Sequence, residues 1–209
     1  MSPMSQFYSI HPDNPQPRLI QQAADIIRKG GVIVYPTDSA YALGCHIGDK
    51  SALERVRQIR RLGPDHNLSM LCRDLSDLGT YAKVNNSAYR LLKASTPGPY
   101  TFILPATREV PKRLVHPKRK TIGLRVPDNN ICRDLLDVLG EPLMTSTLIL
   151  PGESEPLSDP YEMRDLLEHQ VDLVIDGGYC GLELTSVINL EHEAPEIVRE
   201  GCGDVSIFT

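Results

Sequence analysis

Cysteine is scarce in this 209-residue sequence, and its five cysteines do not form the pairs that a disulfide framework or a structural zinc site needs. Their number is odd, they are far apart, and no C-x-x-C motif occurs. The six histidines also lack the i, i+4 spacing and the short loop spacing of a metal site. We therefore expect no metal site and a reducing compartment.

Long apolar runs are missing as well. No stretch approaches the roughly 20 residues that a membrane-spanning helix needs, and the N-terminus is polar and rich in proline rather than like a signal peptide. The chain also has no internal repeat, low-complexity tract or linker. These absences predict a cytoplasmic protein with no membrane partner. They also predict a single domain.

Three motifs that commonly mark nucleotide-binding or catalytic sites are absent. The sequence has neither the G-x-x-x-x-G-K-[ST] loop nor the G-x-G-x-x-G loop, so arginine, lysine and hydroxyl groups would have to hold a bound nucleotide. It also has no G-x-S-x-G motif of the serine hydrolases. Cys45, which follows Gly44, is either a nucleophile or a small buried thiol. We favour the buried thiol because no basic partner is evident.

The positive charges are concentrated, although the chain is acidic overall with a formal net charge of -5. Residues 55–61 and 108–125 together hold half of the 22 lysines and arginines, whereas residues 151–200 hold thirteen acidic residues and two arginines. A charged run is ordinarily a solvated face, but two basic runs in an acidic protein favour an anionic partner. The basic residues of these runs are Arg55, Arg57, Arg60, Arg61, Arg108, Lys112, Arg113, Lys118, Arg119, Lys120 and Arg125.

A buried strand followed by a polar loop is predicted near residues 32–41. The run 32–35 is apolar and mostly β-branched, and Pro36 ends it because proline cannot donate to a sheet ladder. Thr37, Asp38, Ser39 and Tyr41 follow. In an open α/β sheet the carboxyl ends of strands bind ligands, so this loop is either a ligand-binding loop or an ordinary turn. Taken alone, the loop fits an ordinary turn better.

Strand and helix patterns alternate along the rest of the chain. Asn14 and Pro15 predict the start of a first helix, and a second begins at Asp49 or Ser51. Arg125 falls within a strand pattern, either at the sheet surface or aimed into a site. Several strands adjoin directly, which implies a mixed sheet with helices packed on it, an α/β (mixed α+β) fold. Other strands are predicted at 68–72, 100–104, 121–126, 171–175, 185–190 and 196–199, with a strand followed by a loop over 143–150, and other helices at 75–82, 87–94, 131–139 and 163–169.

Six segments, taken in order, resemble the YrdC family, and in particular its YciO branch. They are GGVIVYPTDSAYALG (30–44), IRRLGPDHNLSML (59–71), TPGPYTFIL (96–104), TIGLRVPDN (121–129), EPLMTST (141–147), and TSVINL to VREG (185–201). The resemblance covers residues 15–205, nearly the whole chain, and so implies one domain over these residues, preceded by an N-terminal extension of residues 1–14. It implies a YrdC-like domain with a twisted, open, mixed sheet flanked by helices, and a basic concave surface suited to tRNA or double-stranded RNA.

The resemblance also implies an activity. Active members of the family condense L-threonine, bicarbonate and ATP with Mg²⁺ into threonylcarbamoyl-adenylate, releasing pyrophosphate, for the tRNA nucleoside threonylcarbamoyladenosine. The chain is thus expected to take ATP with Mg²⁺ as a substrate complex and to hold no tightly bound cofactor. The implied catalytic residues are Arg60, Arg125 and Thr147. The implied substrate or nucleotide contacts are Thr37, Tyr41, Asn67, Thr101, Thr145, Thr185, Ser186 and Arg199, and the implied RNA contacts are Arg57, Arg61, Lys112, Arg113, Lys118, Arg119 and Lys120.

The chain departs from the synthases of this family at two motifs. Where they carry K-x-R and S-x-N, it reads R-R-L at residues 60–62 and T-L-I at residues 147–149. Leu62 and Ile149 can neither neutralise a phosphate nor hold a metal ion through bound water. Losing one such contact commonly costs about 10² to 10³ in rate. Ala42, where the family has a loop glycine, is a smaller change.

Two hypotheses follow from these motifs and departures. The first is an enzyme of the threonylcarbamoyl-adenylate type with weak or altered activity. The second is a binding protein that keeps the fold and the basic surface but acts on RNA or ribosomes without turnover. Retained guanidinium and hydroxyl groups favour a surviving anion pocket, whereas Leu62 and Ile149 favour lost or changed chemistry.

Overall fold

The computed structural model describes residues 4–66 and 68–209, which form one ten-stranded sheet with six α-helices. The predicted mixed α/β sheet flanked by helices is confirmed. The strands are β1 (Gln6–Ser9), β2 (Ile33–Tyr35), β3 (Ala42–His46), β4 (Ser69–Leu71), β5 (Tyr100–Pro105), β6 (Thr121–Arg125), β7 (Leu143–Thr147), β8 (Leu173–Asp176), β9 (Ser186–Asn189) and β10 (Glu196–Arg199). The helices are α1 (Pro17–Arg28), α2 (Lys50–Arg60), α3 (Leu75–Tyr81), α4 (Asn86–Ser95), α5 (Asn130–Leu139) and α6 (Pro160–Leu167).

The sheet mixes parallel and antiparallel neighbours in the order β1-β8-β2-β3-β7-β4-β6-β5-β9-β10. The pairs β1–β8, β8–β2, β4–β6 and β5–β9 are parallel. The pairs β2–β3, β3–β7, β7–β4, β6–β5 and β9–β10 are antiparallel. Strands distant in the sequence thereby become neighbours, so residues from four of the resembling segments meet on β7, β4, β6 and β5.

The first helix begins later than the sequence predicted. Asn14 and Pro15 do not cap it; α1 starts at Pro17, and its N-cap Gln16 is extended with ψ 118°. The residue before a proline is pushed out of the helical region, so the helix can begin only at Pro17 itself.

The second helix begins where the sequence predicted. Asp49 caps α2, since its carboxylate accepts a hydrogen bond from Ala52 N at 2.9 Å. None of the helices that the structure describes is both long enough and apolar enough to cross a membrane.

The sheet carries an apolar cluster on each face. Ile33 and Tyr35 of β2 pack with the buried residues of α1 and α5, whereas Val32 and Val34 pack with those of α2 and α4. This division follows from the alternation of side chains along a strand. Because both faces of β2 are buried, its run of apolar residues is continuous, as expected for a central strand.

The structure contains two strands, β1 and β3, that the sequence pattern does not predict. β1 lies within the first 14 residues and pairs in parallel with β8, placing Gln6 beside Leu173. β3 follows the polar loop and pairs with β2 in the antiparallel direction, so the loop at residues 36–41 connects a hairpin. Both were hard to predict, because β1 has only four residues and β3 contains alanine and glycine, which are poor strand formers.

Candidate functional site

A cavity of about 490 Å³ lies over the part of the sheet that α1 and α5 leave uncovered. Leu71 of β4 and Leu143 of β7 pack in the cluster beneath those helices. Ser69 and Thr145, two positions away on the same strands, share the same face but line the cavity. One face of two strands is therefore apolar where helices cover it and hydroxyl-bearing where they do not.

β6 forms the floor of this cavity. Its residues Thr121, Gly123 and Arg125 alternate onto one face of the strand, and all three line the cavity. A Cβ atom at Gly123 would lie 2.6 Å from Ser69 Oγ. Glycine at this position therefore leaves the hydroxyl of the neighbouring strand free to face the cavity.

Five arginines line the cavity, and no aspartate or glutamate of residues 4–66 and 68–209 does. Arg57 and Arg60 come from the end of α2, Arg113 from a short 3-10 helix (Lys112–Leu114) in the basic run before β6, Arg125 from β6 and Arg199 from β10. Of the five, Arg125 alone has an ion pair within the described part of the chain. Several guanidinium groups without carboxylate partners favour an anionic ligand, since they offer charge-assisted hydrogen bonds.

Arg125 lies in the floor of the cavity, which settles the alternative left by the sequence in favour of a side chain aimed into a site. It is 3% exposed. Its Nη2 donates to Asp38 Oδ1 at 2.9 Å and to Ser39 Oγ at 3.2 Å. Its Nε is buried without a hydrogen-bond partner among the described residues. A buried donor without an acceptor is costly, so the surrounding structure has to hold Arg125 in this orientation.

Arg199 joins a pair of threonine hydroxyls at one end of the cavity. Its Nε and Nη2 donate to the carbonyl of Thr185 at 3.0 and 2.9 Å, and its Nη2 also reaches Thr185 Oγ1 at 3.2 Å. The Oγ1 atoms of Thr185 and Thr101 are 2.8 Å apart. Partial burial and, after it, the positive charge of Arg125 lower the pKa of Arg199. A bound anion would relieve this repulsion between the two guanidinium groups.

Arg60 is held at the opposite wall of the cavity. Its Nη1 donates to Ser146 Oγ at 2.7 Å, and its Nε donates to the carbonyl of Ile149 at 3.3 Å. Burial lowers the pKa of Arg60. The pKa of His66 is lowered by partial burial and then by Arg60 and Arg57. This wall therefore presents a fixed cation beside a histidine whose neutral form is favoured.

Nine of the residues implied by the family resemblance line the cavity together. They are Arg57, Arg60, Thr101, Arg113, Arg125, Thr145, Thr147, Thr185 and Arg199. The hydroxyl of Thr145 also makes a short hydrogen bond with the hydroxyl of Tyr35, whose pKa is raised chiefly by complete burial. Asn67, another of the implied residues, lies outside the described residues.

Three other implied residues do not line the cavity but hold loops near it. Thr37 Oγ1 donates to the carbonyl of Ala40 at 2.6 Å. Tyr41 Oη donates to the carbonyl of Gly178 at 2.7 Å and accepts from Gly177 N at 3.1 Å. The hydroxyl of Ser186 donates to the carbonyl of Gly203 at 2.6 Å. All three side chains are thus engaged within the protein.

The basic residues implied to bind RNA divide into two groups. Arg57 and Arg113 line both the cavity and a second groove along α2, which Arg61 also lines. The others lie outside both concavities and are exposed. These exposed residues are Lys112, Lys118, Arg119 and Lys120.

Several cavity residues were not singled out as site residues from the sequence. Ser69 and Ser146 carry hydroxyls into the cavity, and His66 and His116 line its wall. Asp38 does not line it, yet it holds the arginine that forms the floor. Ser69 and Ser146 each lie inside a segment that resembles the family, and this position was the one sign of a functional role. A single serine within a strand forms no motif from which a binding role could be predicted.

The two departures from the synthase motifs fall in different places. Ile149 lines the cavity, whereas Leu62 lines the second groove.

Cys45 is fully buried, and burial raises the pKa of its thiol to about 12, which confirms the buried thiol rather than the nucleophile. Among the described residues, no three histidine, cysteine, aspartate or glutamate side chains converge where a metal ion could sit.

Comparisons with known proteins agree with this architecture. The family model described as telomere recombination, which covers Sua5, YciO and YrdC, matches residues 25–201. The uncharacterized protein YciO of Escherichia coli is 60% identical over 205 residues, covering 98% of this chain and 100% of that protein. Its crystal structure matches with a TM-score of 0.95 over 99% of this chain and 100% of the other.

More distant relatives carry a stated activity. The threonylcarbamoyl-AMP synthase of Vibrio vulnificus is 30% identical over 161 residues, covering 76% of this chain and 86% of that protein. A structure of a Pyrococcus abyssi Sua5 variant is 26% identical with a TM-score of 0.86, covering 95% of this chain and 60% of the other. The family match, the YciO identity and the shared fold lead to one conclusion: the chain belongs to the Sua5/YciO/YrdC family.

Proposed function

We propose that the cavity binds an adenine nucleotide with Mg²⁺, and that the protein is a threonylcarbamoyl-AMP synthase-like protein with weak or altered activity. The observation that carries the proposal is the set of five arginines around one cavity, with the Nε of Arg125 buried and unpartnered. The Vibrio vulnificus relative, a threonylcarbamoyl-AMP synthase, supports the choice of nucleotide. The likeness of the fold to Sua5 supports it further.

The chemistry of such a reaction suits these residues. The amine of L-threonine and bicarbonate give a carbamate and release water, and an oxygen of the carbamate then forms a bond to the α-phosphorus of ATP while the bond to pyrophosphate breaks. Carbamate and α-phosphate are both anions, so bringing them together costs repulsion that fixed guanidinium groups and Mg²⁺ offset. Arg125 and Arg199 at one end, and Arg60 at the other, are the groups that would do so.

The weak or altered activity is argued from two apolar residues. Ile149 stands in the cavity wall where synthases of the family have an asparagine, and Leu62 stands where they have an arginine. Neither side chain can contact a phosphate or a metal-bound water. Each lost contact is expected to cost about 10² to 10³ in rate, so only slow synthesis is expected to remain.

Two measurements on the purified protein test this proposal. Calorimetry with ATP and Mg²⁺ should detect binding, and Arg125→Ala should abolish it. Release of pyrophosphate should depend on both L-threonine and bicarbonate and should be slow. The absence of ATP binding at saturating concentration would overturn the nucleotide assignment. A fast turnover would overturn the role given to Leu62 and Ile149.

A second candidate function is the binding of tRNA or double-stranded RNA. The observation that favours it is the groove along α2, which is lined by Arg57, Arg61 and Arg113 and shares Arg57 and Arg113 with the cavity. Contacts to phosphates release counterions, so the affinity for structured RNA should fall steeply with salt. Failure to bind RNA even at low salt would exclude this candidate.

A further inference from the structure

We propose that Asp38 is a positioning residue, which fixes the guanidinium of Arg125 so that its Nη1 donors face the anion in the cavity while its Nε stays buried. The inference rests on the proposed function, because that function supplies the anion. Asp38 itself does not line the cavity, and it acts only through Arg125.

The carboxylate of Asp38 is held on both sides. Its side chain is 8% exposed, and Oδ1 accepts from Arg125 Nη2 at 2.9 Å. The other oxygen, Oδ2, accepts from the backbone N of Asp128 at 2.8 Å. Asp38 thereby ties the β2–β3 hairpin loop to the connection between β6 and α5. A carboxylate fixed in this way fixes in turn the arginine that it binds.

The hydrogen bonds of Arg125 show which donors remain for a ligand. Nη2 carries two hydrogens, and it has two acceptors, Asp38 Oδ1 and Ser39 Oγ. Nε has no hydrogen-bond partner among the described residues, and Nη1 makes no hydrogen bond to any of them either. The hairpin loop therefore binds one corner of the guanidinium and leaves the other two donors unpaired.

The hairpin loop is built to hold this geometry. Thr37 Oγ1 accepts from Ser39 N at 3.0 Å and donates to the carbonyl of Ala40 at 2.6 Å, which closes a tight turn around Asp38. Thr37 and Ser39 are both buried. Such local side-chain to backbone bonds stabilise a turn. Arg125 is thus oriented by a rigid acceptor pair before any ligand arrives.

Two other roles for Asp38 make different predictions. If Asp38 only neutralised charge, its replacement by asparagine would raise the positive potential and tighten anion binding. If it only supported the fold, the folded variant would bind the anion as before. A positioning role predicts weaker binding, since Arg125 would turn toward other acceptors. The direction of the change in anion affinity therefore distinguishes the three possible roles of Asp38.

The first test is calorimetry with ATP and Mg²⁺ on Asp38→Asn. We expect affinity to fall about 10-fold, the scale of one misplaced charged hydrogen bond. Asp172→Asn is the matched control, because Asp172 Oδ2 also joins an arginine, Arg55 at 2.8 Å, to a backbone N–H, but outside the cavity. Tighter or unchanged binding by folded Asp38→Asn would overturn the proposal.

The second test needs no ligand, so it separates this proposal from the proposed function. The Nε–H signal of Arg125 in NMR spectra, assigned by its loss in Arg125→Lys, should exchange slowly with solvent in the wild type and in Asp172→Asn. It should broaden or disappear in Asp38→Asn. If that variant does not fold, Ser39→Ala, which leaves no charge unpaired, should speed the exchange. An unchanged Nε–H signal in the folded variant would overturn the proposal even if ATP binds.

Discussion

The two halves of one sheet face differ in a way that explains both the fold and the site. Where α1 and α5 cover the face, Leu71 and Leu143 pack in a dry cluster. Two positions along the same strands, Ser69 and Thr145 line an open cavity with five arginines around it. The packed core and the candidate ligand site are therefore formed by alternate residues of the same strands rather than by separate domains.

The largest expected effect is a loss of stability on the covered half. Leu71→Ala removes a fully buried side chain and should lower the free energy of unfolding by about 2 to 5 kcal/mol. Ser69→Ala, on the same strand and face, should change it by about 0.5 kcal/mol or less. Urea denaturation of both variants measures the difference. Equal losses would show that the cavity half is as tightly packed as the covered half.

A smaller effect is expected on the open half, in ligand affinity. Arg60→Ala removes a cation fixed by Ser146 and should weaken binding of ATP with Mg²⁺ about 10- to 100-fold. Arg90→Ala is the control, since Arg90 is exposed on α4 and does not line the cavity. Calorimetry gives both affinities. If the two variants bind ATP equally well, Arg60 is not part of the anion site.

Thr145 contacts both the covered half and the open half of the sheet face. Its substitution therefore tests whether the two halves are coupled. Its hydroxyl faces the cavity and bonds the buried hydroxyl of Tyr35. Thr145→Val leaves that phenol without a partner and should cost about 1 to 3 kcal/mol of unfolding free energy, whereas Thr145→Ser should cost less. Urea denaturation distinguishes them. If the valine variant is as stable as the wild type, the two halves are not coupled through this hydroxyl.

The smallest effect concerns pH. Partial burial, and then Arg60 and Arg57, lower the pKa of His66 below its ordinary value of 6.5. As pH falls below about 6.5 the unfolded chain takes up a proton on this histidine before the folded protein does, so the folded state loses stability. His66→Gln should flatten the dependence of the unfolding midpoint on pH between 7.5 and 5, whereas His192→Gln, away from the cavity arginines, should not. An unchanged slope in His66→Gln would contradict the lowered pKa.

Much of the architecture was predictable because it follows from local patterns. The strand at residues 32–35 is buried on both faces, so its apolar run is unbroken and easily recognised. The start of α1 was misplaced because Asn14 and Pro15 fit the capping pattern, while the second proline at Pro17 decides where the helix can begin. β1 was missed because its stability comes from pairing with β8, which lies more than 150 residues away.

The site was less predictable than the fold because it depends on neighbours across the sheet. Arg125 is recognisable in the sequence as a charged residue within a strand pattern, and in the structure it lies in the floor of the cavity. Its partner Asp38 is 87 residues away, and nothing in the spacing links the two. Tyr41 and Ser186 carry hydroxyls in resembling segments, yet both are bonded within loops rather than lining the cavity.

The most direct test of the contrast between the two halves is an NMR titration of the wild-type protein with ATP and Mg²⁺. The backbone amide signals of cavity residues such as Gly123 and Thr185 should shift and saturate. Those of Ala24 in α1 and Leu135 in α5, which are buried in the apolar cluster on the same face of the sheet, should stay in place. Shifts confined to α1 and α5, or no shifts at saturating ATP, would contradict the account.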